Sequence, residues 1–511
     1  MKKIIGLLVL FFSLSITAQS LDKSWNKVYE YEYEGKTKSA SEVLNEIYKK
    51  ARKKNDQVEI IRTFIYQSKF LMTLEEEAQY KIIKNIREEL TTKEEANKAI
   101  FNFIYGKLLS EYYQQNRYKL KSQTATEAVF NSDFRTWSNS DFEKEITTAY
   151  ENSIKNETIL SQTPLSNYDK IINLGKYEAP LNRSLYDFLV EEYLQKNEYL
   201  YYTFQNQDED KEQEDRIFLS NNIHSFYGDV KEFQELDLKN YKSSPFYIEL
   251  VLYQKLEKSY ASQNNTIALS RIVLKRIQAV YEKRNVPEEY LTVLGKLITK
   301  IQDNYQSAFL IEKAKIYQKN ASKETHPDYN SKAVEICDSV ILKGDEPFVS
   351  EAKNIKGFIL AKSLTVQTEK YTIPNQPNLA LIQFKGIDSI YGILYKIPLK
   401  LVPKFKSQNI ENDSLIIDIA NKNKPYKTFK NSLPDTKGYF EYSTEIILPE
   451  LETGAYLLIV STKKDSLSNE TAYSYATINT TELSLVYSNS INTERFQVLN
   501  RKTGKPIEDA V

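Results

Sequence analysis

From about Ser20 to Val366, apolar residues recur every three or four positions. Ile60, Ile61, Phe64, Ile65, Leu71 and Met72 follow this spacing, as do Ile82, Ile83, Ile86 and Leu90. Ile100, Phe101, Ile104 and Leu108 repeat it, and so do Ile248, Leu252, Leu256 and Tyr260. Such spacing lines one side of a helix. The polar breaks predict helices of roughly 12 to 20 residues. Pro164, Pro180, Pro245, Pro287, Pro327 and Pro347 fall between them, where a ring that removes a backbone donor is tolerated. Helix pairs in so long a run predict an α-helical, repeat-like (solenoid) array. No tetratricopeptide signature recurs at a period of about 34 residues, so the array reads as a degenerate set of helical hairpins.

Near Val366 the period shortens. Tyr371-Thr372-Ile373-Pro374-Asn375-Gln376-Pro377 marks a junction, and alternating runs follow it. Ile397, Leu399 and Leu401 alternate with other residues; Ile417 and Ile419 flank Asp418; Phe440, Tyr442, Thr444 and Ile446 alternate with Glu441, Ser443 and Glu445. Gly454 precedes an apolar run from Tyr456 to Val460, and Ala472, Ser474, Ala476 and Ile478 come next, then Leu483 and Leu485. This pattern predicts an antiparallel β-sandwich over residues 367–480, with Ile478 to Glu482 as a hinge. Phe496 to Leu499, the turn Thr503-Gly504-Lys505-Pro506 and a further strand toward Val511 read as the start of a second sandwich over 481–511. A strand without a partner leaves backbone groups unsatisfied, so the chain is expected to continue past Val511.

The expected fold class is therefore multidomain, α then β, with the helical array over 19–366. Its 511 residues exceed one core and divide into two to four domains. Met1-Lys2-Lys3, the apolar run Ile4 to Ile16 and Thr17-Ala18-Gln19 form a secretory signal cut after Ala18. Its apolar core is too short for a membrane span, which needs about 20 residues, and no cysteine at the cut provides a lipid anchor. The expected product is exported, periplasmic or extracellular, and soluble once residues 1–18 are removed. Lys plus Arg and Asp plus Glu both number 69, and losing Lys2 and Lys3 shifts the net charge to about −2. That balance gives no global attraction to nucleic acid. The run Lys49-Lys50-Ala51-Arg52-Lys53-Lys54 lies near Glu42, Glu46 and Glu59 and reads as a solvated helix face.

Chemistry-bearing patterns are sparse. His224 and His326 form no i, i+4 metal pair. Cys337, the single cysteine, excludes an internal disulfide and reads as a small buried apolar residue within Val334-Glu335-Ile336-Cys337. No G-x-S-x-G elbow or G-x-G-x-x-G loop occurs. Glu75-Glu76-Glu77 and Glu191-Glu192 point apart on a helix and make no acid/base dyad by themselves. Asn206 to Asp215 is acidic but lacks the glycine and glutamate of a calcium loop, and reads as an exposed loop. Tyr29-Glu30-Tyr31-Glu32-Tyr33 and Tyr199-Leu200-Tyr201-Tyr202 read as interhelical packing. The chain is expected not to be an enzyme: no catalytic, cofactor-binding or metal-binding residue is assigned, and no cofactor.

The segments Pro374-Asn375-Gln376-Pro377, Leu448 to Leu458, Phe496 to Leu499 and Thr503 to Val511, preceded by a signal and a long helical region, resemble the front of bacterial alpha-2-macroglobulin family proteins. The likeness covers about the last 145 residues. It implies serial macroglobulin domains in the cell envelope, endopeptidase inhibition, and proteases or other envelope proteins as partners. The family's Cys-x-Glu-Gln thioester does not carry over, because Cys337 is followed by Asp338-Ser339. The alternative reading is a non-catalytic helical-repeat binding scaffold of the envelope, its helical face recruiting a partner protein.

Overall fold

Sixteen helices precede the first strand among the described residues. The structure, a computed structural model, describes residues 21–510 apart from 121–132, 174–180, 182, 205–208, 243–245, 406–409, 465–471 and 491–492. Residues 1–18, read above as a signal, lie outside these. No described helix is long and apolar enough to cross a membrane. The chain divides into two compact units between Gln306 and Ser307.

The first unit is all helical. It contains α1 (21–33), α2 (Thr37–Lys54), α3 (Gln57–Leu74), α4 (Ala78–Glu89), α5 (Glu95–Leu120), α6 (Asn139–Ser153) and α7 (Glu157–Gln162). It continues with α8 (Leu185–Phe204), α9 (Glu209–Phe226), α10 (Val230–Glu235), α11 (Phe246–Ser262), α12 (Thr266–Arg284) and α13 (Pro287–Lys300). Consecutive pairs such as α2–α3, α5–α6 and α11–α12 pack as hairpins, the short-range pattern of a repeat array. The punctuation is chemical. Asp56 accepts the Glu59 amide at the start of α3, Ser138 and Asp141 form a capping box on α6, and Asn285 ends α12 at φ 54°. Pro287 then occupies the first turn of α13, where a missing amide costs nothing.

The second unit opens with α14 (Gln306–Asn320), α15 (Tyr329–Lys343) and α16 (Phe348–Leu360), which close around Ile311, Ala333, Cys337, Val340, Ala352 and Ile355. The strands follow. β1 (Ser363–Thr368), β3 (Asn378–Lys385) and β6 (Tyr442–Leu448) make a three-stranded antiparallel sheet in the order β1-β3-β6. A five-stranded sheet runs β2 (Tyr371–Thr372), β8 (Tyr473–Thr480), β7 (Gly454–Ser461), β4 (Ser389–Ile397) and β5 (Lys427–Ser432). It is antiparallel except for the parallel β2–β8 pair. Ala380, Ile382, Phe384, Ile446, Leu394, Leu458 and Val460 fill the space between the sheets, which makes a sandwich.

Two of the expected strands are helical. Leu399–Phe405 is a 3-10 helix, and Ile410–Lys422, which contains Ile417 and Ile419, is α17. Ile416 and Ile419, with Leu415 and Ala420, are spaced as one helix face and pack on Tyr395, Leu457 and Ile459. The large sheet is thus covered on both sides, and β7 is buried over seven successive residues. Part of the expected acidic loop is also helical, since α9 begins at Glu209; residues 205–208 lie outside the described ones. Beyond β8, β9 (Leu483–Ser490) and β10 (Thr493–Asn500) pair as a two-stranded ladder. The expected further strand is represented by one bridge, Leu499 to Pro506, reached through a turn with Gly504 at φ +69°.

Candidate functional site

Among the described residues no group of three or more His, Cys, Asp or Glu side chains is placed to hold a metal ion. His224 stands exposed near the end of α9. His326 stacks on Tyr329 at 4.2 Å and 11°. Cys337 is fully buried, and burial foremost pushes its thiol up to about 11. The cationic run on α2 is a solvated face: Lys49 pairs with Glu46 at 2.8 Å, Arg52 with Glu89, and Lys50, Lys53 and Lys54 are exposed. Tyr29 contacts Trp25 at 5.8 Å and Tyr66 at 6.0 Å, whereas Tyr33 is 95% exposed. The side chains of Tyr199, Tyr201 and Tyr202 lie outside the described residues.

Glu191 and Glu192 diverge, as adjacent helical residues must. Glu191 is buried and collects Arg183 at 3.1 Å, Arg271 at 2.5 Å, Lys275 at 3.4 Å and the Tyr260 hydroxyl at 2.8 Å. Burial alone raises its carboxyl, but Arg271, Lys275 and Arg183 outweigh that and hold it at about 2. The cluster joins α8, α11 and α12. It is saturated with internal partners, which suits a structural tie better than proton transfer.

Among the described residues of the helical unit, two cavities stand out by their polar lining. One, of about 320 Å³, lies between the end of α4, α5 and α6 and is lined by Glu95, Lys98, Asn102, Tyr105, Glu145 and Asn152 among others. Its polar groups are partnered: the Tyr105 hydroxyl donates to Glu145 at 3.1 Å and accepts from Arg87 Nε at 3.0 Å, and Asn102 donates to the Lys98 carbonyl at 2.8 Å. Burial raises the Glu145 carboxyl, opposed by the Tyr105 hydrogen bond.

The larger cavity, of about 530 Å³, is bounded by the end of α9, by α10 and by α13. Its floor is set by α13, whose Thr292, Val293, Lys296, Leu297 and Lys300 share one face by their spacing of three and four. Opposite stand His224, Tyr227, Gly228, Asp229 and Glu232. Arg276 fixes that wall: it donates to the carbonyls of Phe226 and, at 3.1 Å, Gly228, the groups a helix end leaves without a partner. Tyr227 stacks on Tyr290 at 6.0 Å, and Tyr290 on Tyr281 at 4.4 Å and 8°. The sequence carried no sign of this site beyond the α13 face, because its walls are some 60 residues apart in the chain.

No family model matches the chain, and no curated protein matches it. Among solved structures, it is similar to the CARDB domain of a Pyrococcus furiosus protein in complex with di-metal ions, at 11% identity and a TM-score of 0.14, over 24% of this chain and 92% of that one. It is also similar to the Pseudomonas fluorescens alkylpurine DNA glycosylase AlkC bound to abasic-site DNA, at 5% identity and a TM-score of 0.14, over 49% of this chain and 96% of that one. At that degree of likeness neither neighbour informs on the present chain.

Proposed function

We propose that the chain is the N-terminal scaffold portion of an exported alpha-2-macroglobulin-like protein that captures proteases in the cell envelope. One observation carries the reading. The residues of the resemblance coincide with strand ends and turns: Leu448 closes β6, Gly454 opens the central strand β7 of the larger sheet, and the Thr503–Pro506 turn folds back on β10 of the two-stranded ladder. An inhibitor built from serial sandwiches needs no catalytic constellation of its own in these residues. Its partners on this reading are endopeptidases. The test is to incubate the protein encoded by the complete reading frame with a panel of endopeptidases. Retained cleavage of a small peptide substrate, with loss of cleavage of a protein substrate, is the expected result. Unchanged cleavage of both, with no complex on gel filtration, overturns it.

The second reading is a helical binding scaffold of the envelope, favoured by the two cavities of the helical unit. It predicts that removing the helical unit abolishes partner binding, while proteases remain unaffected by the intact protein.

A further inference from the structure

Between β8, which ends at Thr480, and β9, which begins at Leu483, the chain has only Thr481 and Glu482. Ile478, Asn479 and Thr480, expected within the hinge, are strand, so the junction is shorter than expected. Beyond it, β9 and β10 pair with each other from Leu483–Asn500 to Ser490–Thr493. Among the described residues, none of theirs enters the apolar clusters that fill and flank the sandwich. Leu483, Leu485, Tyr487 and Phe496 stay half exposed or more. An element joined to its neighbour by so little buried apolar surface moves against it by default.

The Thr481 amide donates to the Thr372 carbonyl of β2 at 2.9 Å. The Arg501 guanidinium lies 5.2 Å from the centre of the Tyr371 ring. Arg501 is itself held on the ladder. Its Nε and Nη2 donate to the Leu483 carbonyl at 3.3 and 3.1 Å, and its amide donates to the Glu482 carbonyl at 2.6 Å. The Asn500 side chain accepts the Lys502 and Thr503 amides at 3.1 and 3.0 Å, which closes the turn behind it. The guanidinium is thus fixed on the ladder, and Tyr371, 45% exposed, stands on the sandwich. Lys370 lies 5.1 Å from the same ring but belongs to the sandwich itself.

We propose that the β9–β10 ladder is a rigid arm turning on Thr481–Glu482, and that Arg501 over Tyr371 is the latch that holds it against the sandwich. A cation over a partly exposed ring makes a weak bond. Latched and unlatched arms therefore differ little in free energy, and the contact biases the arm's direction without freezing it. Turning breaks the hydrogen bond from Thr481 to Thr372, so the Thr481 amide reports the motion. This inference is independent of protease capture.

Hydrogen exchange of the full chain, read by mass spectrometry on peptides spanning 478–484 and on peptides from β7, tests the latch. Tyr371→Leu should speed exchange at Thr481 about two- to fivefold, the effect of losing one exposed cation–π contact, and leave β7 unchanged. Arg501→Gln, which also frees the Leu483 carbonyl, should do at least as much, and adding Tyr371→Leu to it should add nothing. Tyr371→Phe keeps the ring and should exchange as the wild type does. Unchanged exchange in Tyr371→Leu, faster exchange in Tyr371→Phe, an additive double variant, or faster exchange in β7 overturns the proposal.

Discussion

Arg276 Nε donates to Glu257 Oε1 at 2.6 Å, and both side chains are completely screened from solvent. The same guanidinium lies over the Phe233 ring at 4.1 Å and donates to the Phe226 carbonyl at the end of α9 and to the Gly228 carbonyl just beyond it. One cation therefore ties α9, α10, α11 and α12 together. Arg276→Met should destabilise the helical unit by about 3–5 kcal/mol, because Glu257 is left buried and unpaired. The double variant Arg276→Met, Glu257→Met should recover only part of this, since the Phe226 and Gly228 carbonyls lose their donor in both. Urea melts of the two variants, followed by helical circular dichroism, measure the difference.

Glu191 should make stability fall in acid. Its folded carboxyl is held at about 2 against an ordinary 4.5. A depressed acid stabilises above its unfolded value, and the contribution is lost as pH falls from about 4.5 toward 2. The full contribution is on the order of 3 kcal/mol. Glu191→Gln removes the charge at every pH. The stability gap between wild type and this variant should be widest near neutrality and shrink below pH 4.5. A gap that stays constant down to pH 2.5 would refute the assignment.

Gly392 in β4 faces Phe429 of β5 across the antiparallel ladder. A Cβ at position 392 would lie 2.0 Å from the Phe429 ring. The ring covers the glycine and cannot stay where it is if a methyl group is added. Gly392→Ala should cost about 1–3 kcal/mol through this overpacking. Gly392→Ala combined with Phe429→Ala should be less than additive, as denaturant titrations of the single and double variants can show.

Cys337 should resist alkylation in the native protein. Its thiol is buried and held mostly protonated by burial, so the thiolate that reacts is scarce. Labelling with iodoacetamide at pH 8 should be slow in buffer and rapid in concentrated urea. Rapid native labelling would mean that the α14–α16 hairpins open readily.

The division into helices and then strands was legible because the apolar period itself changes near residue 366. The α17 strand was misassigned because its apolar residues contain both spacings: Ile417 and Ile419 alternate across Asp418, but the buried pair Ile416 and Ile419, three apart, belongs to a helix. At Leu399–Phe405 the pair Pro398 and Pro403 bars a ladder strand, since proline donates no amide there. The larger cavity was not legible. Its lining comes from the end of α9, the bend after it and α13, separated by the whole of α11 and α12, and only tertiary packing brings Tyr227 and Lys296 to one space. Nothing in the local pattern around Lys296 distinguishes it from an ordinary helical position, and Tyr227 reads only as the residue before a helix-ending Gly228.

The double coverage of β7 carries a hazard during synthesis. Ala455 to Val460 is six apolar residues without a charge, the composition of a segment that self-associates when exposed. Its partner β4 is made earlier, as is α17, which shields the second face, but β8 emerges only after a further stretch of chain. Until then one edge of this apolar strand is open to another copy of itself. Lys463 and Lys464, separated from the strand's apolar run by Ser461-Thr462, place two like charges where stacked copies would meet, the position of charged gatekeepers beside an apolar strand.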